Sequence, residues 1–415
     1  MDKKKAMLWI LFSVVFLDLL GFGLVIPIFA PLFINPSYGL LPLDYSYETR
    51  AVLLGLFLGS YAMMMFFSTP ILGALSDKHG RKKLLIFSLA GTVVGYLIIG
   101  AGVFTKNVWL MFAGRILDGI TGGNISIAQA AIADLSDEKS KAKNFGLIGM
   151  AFGLGFIIGP FLGGKLSDPN VVSWFNTATP FWFTAAFSLC ALLLLAWRFE
   201  ETLEKKNERI KIDAFTGLRN VAKGLAMRNL RVMFAVLMLF AFGFTFFNQF
   251  FQVFLIKRFS FTPAQIGDFF AFFGLCAALT QGVIVRWVSP RFPPESVLSK
   301  SLLGISLCMA ATLLVPQAWG LYLLVPLLSV FQGLSFPNTT ALMSNLAGKE
   351  SQGEILGIST SIQSLGMALP PLVAGLIAAL DYTFPVLAAS LLMLLAWAVF
   401  VFSFKPSLKQ AFHEA

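Results

Sequence analysis

The stretch GALSDKHGRKK, residues 73–83, places a short, strongly charged turn between two long apolar runs. The runs cover residues 50–75 and 84–104, and each is long enough to cross a bilayer as a helix, which takes about 20 mostly apolar residues. Charged side chains are costly inside hydrocarbon, so they mark where the chain turns at the membrane surface. The stretch therefore predicts a helical hairpin that crosses a membrane twice.

The composition is that of a membrane protein along the whole chain. Hydrophobic residues fill 57% of the 415 positions and charged residues 13%, whereas a soluble globular chain has roughly 45–50% and about 25%. Cys190, Cys276 and Cys308 all lie in apolar runs, and the histidines His79 and His413 have no neighbours at metal-ligand spacing. We therefore expect no disulfide framework, no metal site and no enzyme.

Twelve apolar segments are long enough to span a bilayer, and a charged interruption divides them into two groups of six. We predict an all-α membrane protein with a first six-helix half at residues 1–199, a cytoplasmic linker at 200–229 and a second half at 230–415. In chain order, spans 1 to 12 are predicted at residues 6–33, 50–75, 84–104, 108–133, 144–167, 179–199, 230–256, 263–287, 297–316, 319–346, 354–380 and 383–404.

The basic residues of the loops predict how the spans are oriented. With the N-terminus in the cytoplasm, 25 of the 31 Lys and Arg residues fall on the cytoplasmic side, five fall on the other side, and Arg115 lies within a span. Cytoplasmic loops are enriched in positive residues, so we expect both termini in the cytoplasm. The net charge of +10 then reflects topology. Nucleic-acid binding is not expected, because the charges lie in short loops without a continuous basic stripe.

Three stretches of the first half recur in the second half at nearly constant offsets. Chance similarity of glycine-rich apolar sequence could explain any one pair, but three pairs in the same order favour a duplication. Two such halves, with the substrate site between them near mid-membrane, are typical of transporters. The pairs are Gly73 with Gly282, Gly119 with Gly333, and Gly155 with Gly366, at offsets of 209, 214 and 211.

Two ionisable residues are predicted deep inside the first half. Asp18 lies in the apolar run FLDLLGFGLVIPIF, residues 16–29, and Arg115 lies in span 4 at a depth that differs by only a few ångströms, at about 1.5 Å per residue. Asp118 follows Arg115 by one helical turn and is placed to pair with it.

A charge at the helix centre costs about 2.5–3.5 kcal/mol, whereas a protonated acid is neutral. We therefore predict that Asp18, Arg115 and Asp118 couple transport to protons, with Asp18 as the carrier and Asp118 as the other candidate. The alternative is a structural hydrogen bond that stabilises spans 1 and 4.

These motifs resemble the major facilitator superfamily over nearly the whole chain. The turn at 73–83 is similar to the superfamily's loop signature, and GRILDGITGG, residues 114–123, is similar to its span 4 motif. GFIIGPFLGG, residues 155–164, is similar to the motif associated with its antiporters. Within the superfamily, the sequence looks most like the twelve-span drug:proton antiporters of the tetracycline-efflux type. The resemblance implies two pseudo-symmetric six-helix halves that work by alternating access.

The resemblance also implies a cytoplasmic gate around the charged turn. Asp77 would dock on the N-terminus of span 11 near Ser351, because a helix N-terminus carries roughly half a positive charge. Arg81 and Asp134 would complete a charge network that forms when the inside closes. The alternative is a solvated loop whose charges only maintain topology. The predicted gating residues are Gly73, Asp77, Gly80, Arg81 and Asp134.

Span 5 carries the antiporter motif, whose members are Gly155, Gly159, Pro160, Gly163 and Gly164. Small residues four apart, including Gly149 and Gly153, let helices approach closely, and Gly159-Pro160 permits a bend. By the resemblance, this helix packs against span 8 and closes the periplasmic side, which prevents leak in an exchanger. Tight packing without a transport role is the alternative.

The second half offers neutral polar residues where the first half has charges. The predicted cavity residues are Asn248, Gln249, Gln252, Gln332 and Asn338. Phenylalanines surround several of them in FGFTFFNQFFQVF, so an amphipathic, partly aromatic substrate would suit the cavity. Spans 3 and 9 lack the acidic residues expected of tetracycline exporters, which argues against tetracycline as the substrate.

The sequence thus predicts a proton-coupled antiporter that exports a small amphipathic compound or drug across a bacterial inner membrane. We expect a monomer in the lipid bilayer that uses the proton gradient and no cofactor. The alternatives are a symporter or facilitator for a metabolite, siderophore or sugar, and a membrane protein without transport activity, such as a receptor or scaffold. The intramembrane charges and the charged turn argue against the last of these.

Overall fold

The computed structural model describes residues 3–137, 140–203, 213–228, 230–346 and 352–404. Within these ranges the chain is helical, and no strand occurs among them. Eleven helices of this described part are long and apolar enough to cross a membrane. The remaining predicted span, span 4, is divided into two shorter helices. The prediction of an all-α membrane protein is confirmed, and the count agrees with twelve spans once the divided one is included.

Every predicted span contains helix. In the first half, spans 1 to 6 are Lys3–Ile34, Tyr47–His79, Arg81–Phe104, Val108–Thr121 with Asn124–Leu135, Lys141–Leu166 and Thr179–Arg198, and a short 3-10 helix, Pro36–Tyr38, follows span 1. In the second half, spans 7 to 12 are Arg231–Phe259, Pro263–Leu279 continuing to Val288, Pro294–Leu314, Ala318–Leu346, Gln352–Ala368 with Pro370–Leu380, and Phe384–Ser403.

Span 4 is not the continuous helix predicted at 108–133. It breaks at Gly122 and Gly123, where ψ at Gly122 is 47°. Ser68 of span 2 donates to the carbonyl of Gly119 at 2.8 Å, and Ser88 of span 3 accepts from the Gly123 N–H at 3.2 Å. Backbone groups freed inside a membrane must find partners within the protein, and these hydroxyls supply them.

Two spans of the second half also depart from the regular helix that their length predicts. Span 11, predicted at 354–380, is interrupted at Leu369, because Pro370 and Pro371 cannot donate to the preceding turn. Span 8 contains a π-helical turn at Thr280–Ile284. Such turns insert one extra residue into a helix and commonly occur at functional sites.

A short helix in the predicted linker was not expected from its charge. This linker helix, Thr216–Ala226, packs against the first part of span 11. Its Asn220 amide donates to the hydroxyl of Ser361 at 3.0 Å, and Lys223 forms an ion pair with Glu354. The linker is therefore a structured element along part of its length.

The chain forms two compact units. Unit 1 contains residues Met1–Thr216, Gln252–Leu275 and Pro371–Tyr382. Unit 2 contains Gly217–Phe251, Cys276–Pro370 and Thr383–Ala415. Unit 1 thus joins the six spans of the first half to parts of spans 7, 8 and 11. The two halves, residues 1–199 and 230–415, were predicted from the sequence repeat. The division into these halves stays a prediction.

The internal repeat is visible in matching hydrogen bonds inside each unit. In unit 1, Ser68 of span 2 donates to the Gly119 carbonyl of span 4 at 2.8 Å. In unit 2, Gln281 of span 8 donates to the Gly333 carbonyl of span 10 at 3.2 Å. Gly119 and Gly333 are the glycines that the repeat aligns, and the two donors come from corresponding spans. The same inter-helix contact therefore recurs in both parts of the duplicated sequence.

A second pair of matching contacts involves spans 5 and 11. A β-carbon added at Gly155 would lie 2.9 Å from the Leu19 side chain of span 1. One added at Gly366 would lie 3.3 Å from the Ala241 backbone of span 7. Gly155 and Gly366 are aligned by the repeat, and each allows its helix to approach the first span of its own half closely.

Candidate functional site

The ends of the spans predicted to face the cytoplasm are called inner and the opposite ends outer. Asp18 lies midway along span 1 and is half-buried, next to the break in span 4. Asn124, the first residue of the inner segment of span 4, lies near its side chain. Asp118 of the outer segment is close enough for the two carboxylates to repel each other. The acids that the sequence singled out therefore lie together.

Arg115 is 3% exposed, and its cation is surrounded by aromatic rings of spans 1 and 2. The guanidinium carbon lies 4.9 Å from the centroid of Phe29 and 4.2 Å from that of Tyr61. Phe22 and Phe57 lie at 6.0 Å and 5.8 Å. Aromatic faces attract a desolvated cation by about 2 kcal/mol or more. The rings therefore offset part of the cost of burying the charge.

The predicted pairing of Arg115 with Asp118 is present, and it is loose. Nη1 of Arg115 lies 3.7 Å from a carboxylate oxygen of Asp118. Nε and Nη1 of Arg115 are buried without a hydrogen-bond partner in this conformation. Asp118 is 3% exposed and lies near Thr92 of span 3. Asp118 thus balances the charge of Arg115. Asp18 is the other acid of this group, and its side chain is partly exposed.

The charge network predicted at the inner end of spans 2 to 4 is present within unit 1. Arg81 lies between two acids, with Nη2 at 2.5 Å from Asp77 and Nε at 3.1 Å from Asp134. Its Nη1 donates to the hydroxyl of Ser76 at 2.6 Å. The predicted docking of Asp77 on the start of span 11 involves Ser351, which lies outside the described residues.

The network extends to an acid that the sequence analysis did not single out. Glu201, just after span 6, accepts hydrogen bonds from the backbone N–H groups of Arg81 at 2.8 Å and Lys82 at 3.2 Å. Span 3 has no side-chain cap from its own N-cap residue, Gly80. Glu201 thus provides the cap from 120 residues away. Thr202 beside it donates to Asp134 at 3.2 Å.

The two glycines of the charged turn have different surroundings. Gly80 has φ +109°, a conformation that other residues rarely adopt, and a β-carbon there would meet the carboxylate of Glu201. Gly73 has open space around its Cα. Gly80 is therefore required by the turn, whereas Gly73 is not required by packing in this conformation.

The antiporter motif of span 5 contacts span 1 in addition to the expected span 8. A β-carbon at Gly159 would lie 2.7 Å from the Cα of Gly23, and one at Gly163 would lie 2.6 Å from the Leu24 carbonyl carbon. Gly149 and Gly153, expected to support close packing, have open space instead. Gly159 and Gly163 contact span 1 because span 5 packs along the length of span 1.

The motif also contacts span 8 within unit 1, where a β-carbon at Gly274 of span 8 would lie 3.1 Å from the Phe156 carbonyl oxygen. A β-carbon at Gly164 would lie 2.9 Å from the Pro263 carbonyl. Gly267 of span 8 approaches the carbonyl of Pro160. Next to these contacts Lys165 and Asp268 form a half-exposed ion pair at 3.1 Å. Asp268 thus joins the outer ends of two spans.

Spans 2 and 11 meet at their outer ends in the same way. A β-carbon at Gly55 would lie 2.7 Å from the Cα of Gly375. One at Gly59 would lie 2.7 Å from Cγ of Leu372. These residues all belong to unit 1, as do the contacting ends of spans 5 and 8. Within unit 1, both helix pairs are therefore in close contact at their outer ends.

The polar residues predicted for the second half differ in their hydrogen bonding. Gln252 is 5% exposed, and its Oε1 is buried without a partner, as is Oε1 of Gln332. Asn338 is also buried and donates to the Leu334 carbonyl one turn earlier at 2.6 Å. Asn248 and Gln249 are half-buried. The orphan oxygens of the two glutamines are buried acceptors, one in each unit.

Several contributors to these sites lie far apart in the sequence. Asn124 could have been noticed as the polar residue that follows a glycine pair in an apolar span, and Glu201 as an acid at the inner end of span 6. Tyr61 and Tyr96 carry no motif, yet both lie in the electrostatic environment of Asp118 and Asp18. Arg50, counted as a loop charge, is 2% exposed and donates to the Tyr45 carbonyl at 3.0 Å.

Among the described residues, no cluster of three or more His, Cys, Asp or Glu side chains could hold a metal ion. The chemistry that the first-half cluster can perform is proton exchange. It combines one partly exposed carboxyl group, one buried carboxyl group and one permanent cation.

Comparison with known proteins relates this arrangement to a large family. The family model described as Major Facilitator Superfamily matches residues 11–369 and 233–413. Tetracycline resistance protein, class E, from Escherichia coli is 28% identical over 367 residues, which cover 87% of this chain and 85% of that protein. Multidrug resistance protein 1 from Bacillus subtilis (strain 168) is 28% identical over 407 residues, with 96% and 97% covered.

Solved structures agree on the fold. The crystal structure of the human organic anion transporter MFSD10 (TETRAN) superposes with a TM-score of 0.71 at 23% sequence identity. The match covers 96% of this chain and 100% of that one.

Proposed function

Because the chain belongs to the Major Facilitator Superfamily, a family of transporters rather than enzymes, we propose that it is a proton-coupled antiporter that exports a small amphipathic compound by alternating access. It is a multi-pass membrane transporter. Its relatives include tetracycline and multidrug resistance proteins. The observation that carries the proposal is the cluster of Asp18, Asp118 and Arg115 deep in the first half.

The roles within the cluster follow from charge and access. Arg115 is permanently charged and buried, so it cannot carry a proton through a transport cycle. Asp118 lies beside it and compensates its charge. Asp18 has a partly exposed side chain and no cation in direct contact within the described residues. Asp18 is therefore the group that binds and releases the proton, while the other two hold a fixed charge balance around it.

The substrate is expected to combine an apolar, aromatic part with hydrogen-bond donors. Phenylalanines flank Asn248 and Gln249 on span 7, and the buried acceptor oxygens of Gln252 and Gln332 lack partners. Amphipathic compounds of this kind are consistent with the multidrug resistance relative. The protein would work in a bacterial inner membrane as a monomer with both termini in the cytoplasm, using the proton gradient and no cofactor.

Antiport is favoured over symport by the motif in span 5. Its glycines bring spans 1 and 5 into backbone contact, and its outer end meets span 8. Close backbone packing leaves no path for a proton to leak past the substrate on that side. The alternative function is a symporter or facilitator for a metabolite, siderophore or sugar.

The test uses inverted membrane vesicles with an inside-acid gradient. Ethidium, tetracycline and fluorescein are added in turn, and proton movement is followed with a pH-sensitive dye. We expect at least one amphipathic compound to evoke proton release from vesicles that contain the protein, and none to do so from vesicles without it. Uptake of a compound that is unchanged when the gradient is collapsed would identify a facilitator and contradict the proposal.

A further inference from the structure

We propose that the linker helix, Thr216–Ala226, is a membrane-surface element that binds anionic phospholipid headgroups at the inner ends of the spans. The helix carries an exposed apolar face flanked by basic side chains, and its opposite face packs against two membrane-spanning helices. This surface is separate from the proposed proton site, so the lipid contact does not depend on which compound is transported.

One face of the linker helix is packed closely within unit 2. Gly217, Val221 and Gly224 fall on this face, at about 100° per residue, and all three are buried. A β-carbon at Gly224 would lie 2.6 Å from Cγ2 of Ile358 in span 11 and 3.1 Å from Cδ2 of Phe234 in span 7. The helix is therefore held against spans 7 and 11 along this face.

The contacts with span 11 put the linker helix at the level of the lipid headgroups. Asn220 donates to the hydroxyl of Ser361 at 3.0 Å, and Lys223 forms an ion pair with Glu354. The apolar stretch Glu354–Leu380 has 27 residues and is about 40 Å long, whereas the hydrocarbon core is about 30 Å thick. With the outer end of this stretch at the edge of the core, its first two turns lie in the inner headgroup layer. The linker helix lies beside those turns.

The exposed side of the linker helix combines an apolar face with positive charge. Leu218 and Leu225, two turns apart, are 40% and 37% exposed, and Ala222 between them is exposed as well. Arg219 and Lys223 follow on the neighbouring face, one turn apart, and both are exposed. The helix contains no acidic residue. A helix of this kind inserts its apolar face at the acyl-chain boundary and presents its basic side chains to anionic headgroups.

Depth and charge both favour an anionic lipid over a soluble partner for this surface. Leucines at headgroup depth are covered by lipid itself and need no second protein to leave water. Each Lys or Arg close to an anionic membrane surface strengthens binding about fivefold. The Lys223 side chain is 60% exposed even in its ion pair with Glu354, so it can contact a phosphate as well. A bound lipid would thus be connected through Lys223 to the inner end of span 11.

The experiment measures which lipid contacts the linker helix of the full chain. Leu218→Cys, with Cys190, Cys276 and Cys308 replaced by serine, is labelled with bimane in nanodiscs of equal phosphatidylglycerol and phosphatidylcholine. Bimane quenching is compared between nanodiscs in which only the first lipid is brominated and nanodiscs in which only the second is. We expect phosphatidylglycerol to be enriched about fivefold or more at Leu218. Leu391→Cys is the matched control, because Leu391 is 55% exposed on the uncharged span 12 and should be quenched equally by both lipids.

Charge variants separate lipid binding from the packing of the helix. Arg219→Gln combined with Lys223→Gln should return the lipid ratio at Leu218 to that of the bulk lipid. Glu354→Gln removes the ion pair and keeps the lysine charge, so the enrichment of phosphatidylglycerol should remain. If the double variant does not fold, Arg219→Gln alone should lower the enrichment about fivefold.

Enrichment that depends on Arg219 and Lys223 and survives Glu354→Gln supports the inference, and three results would overturn it. Quenching by neither lipid would mean that Leu218 lies away from the membrane and that a soluble partner covers this face. Equal quenching by both lipids would mean that the face contacts lipid without regard to charge. Loss of enrichment in Glu354→Gln as large as in the double variant would mean that the packing of the helix, and not its charge, determines the lipid contact.

Discussion

At the scale of single residues, Gly80 shows how strictly one position can be determined. Span 2 ends at His79 and span 3 begins at Arg81, so one residue reverses the chain. Its φ of +109° favours glycine, and the space beside it is filled by Glu201. The absence of a β-carbon at Gly80 therefore allows both the turn and the capping of span 3 by Glu201.

We predict that Gly80→Ala destabilises the protein and that Gly73→Ala, in the same signature, does not. A side chain at the Gly80 conformation, φ 109° and ψ 147°, costs about 1–3 kcal/mol, and the β-carbon also displaces Glu201. Gly73 lies within a helix in open space, where alanine is tolerated. The measurement is the melting temperature of each variant in detergent. A melting temperature of Gly80→Ala equal to wild type would show that the turn is not constrained in this way.

Sequence analysis identified those site residues whose partners are near in the chain, and those that carry a charge inside an apolar span. Arg115 and Asp118 are one helical turn apart, and their pairing follows from spacing alone. Glu201 caps a helix 120 residues away, and such a contact has no local pattern. Asn124 is one of many polar residues in apolar spans, so the sequence alone does not show that it begins a helix at the break in span 4.

At the scale of helices, span 5 combines two groups of glycines with different surroundings. The outer group, including Gly159, is in backbone contact with span 1. The inner group, including Gly149 and Gly153, has open space. Spacing alone could not distinguish them, because both have the same small-residue pattern.

This difference predicts opposite effects of one substitution on the same helix. Gly159→Ala would place a methyl group 2.7 Å from the Cα of Gly23, so it must force spans 1 and 5 apart. Overpacking of this kind costs about 1–3 kcal/mol. Gly149→Ala, the matched control, meets no atom within 4 Å and should leave stability unchanged or slightly raised. Thermal unfolding in detergent compares the two. Equal stability would mean that the contact with span 1 can relax.

The fold at this scale was predictable in outline and not in detail. Twelve long apolar runs predict helices because no other structure satisfies the backbone in lipid. The interruptions in spans 4, 8 and 11 were not predicted, although Pro370 and the Gly122–Gly123 pair mark two of them. The length and overall composition of an apolar run do not reveal such positions. Whether a break forms depends on hydroxyl groups from other helices.

At the scale of the whole molecule, transport requires the outer side to open at some point in the cycle. In this conformation the outer ends of spans 2 and 11 are in contact, with Gly59 against Leu372. A β-carbon at Gly59 would lie 2.7 Å from Cγ of Leu372. That spacing suits a disulfide, in which the β-carbon of one cysteine lies close to the sulfur of the other.

We predict that the double variant Gly59→Cys, Leu372→Cys loses transport when oxidised and regains it on reduction. The background replaces Cys190, Cys276 and Cys308 with serine, so that no other disulfide can form. Transport is measured in proteoliposomes before and after dithiothreitol. Each single cysteine variant serves as control and should not respond to the oxidant. Full transport by the cross-linked protein would mean that these ends never separate.

The most direct test of the account is whether Asp18 couples transport to protons. Asp18→Asn and the control Asp268→Asn are reconstituted in proteoliposomes with whichever of ethidium, tetracycline or fluorescein evokes proton release. We predict that Asp18→Asn still exchanges labelled for unlabelled compound but no longer accumulates it under a pH gradient, whereas Asp268→Asn does both. Gradient-driven accumulation by Asp18→Asn at the wild-type level would contradict the account, because the proton would then be carried by another group.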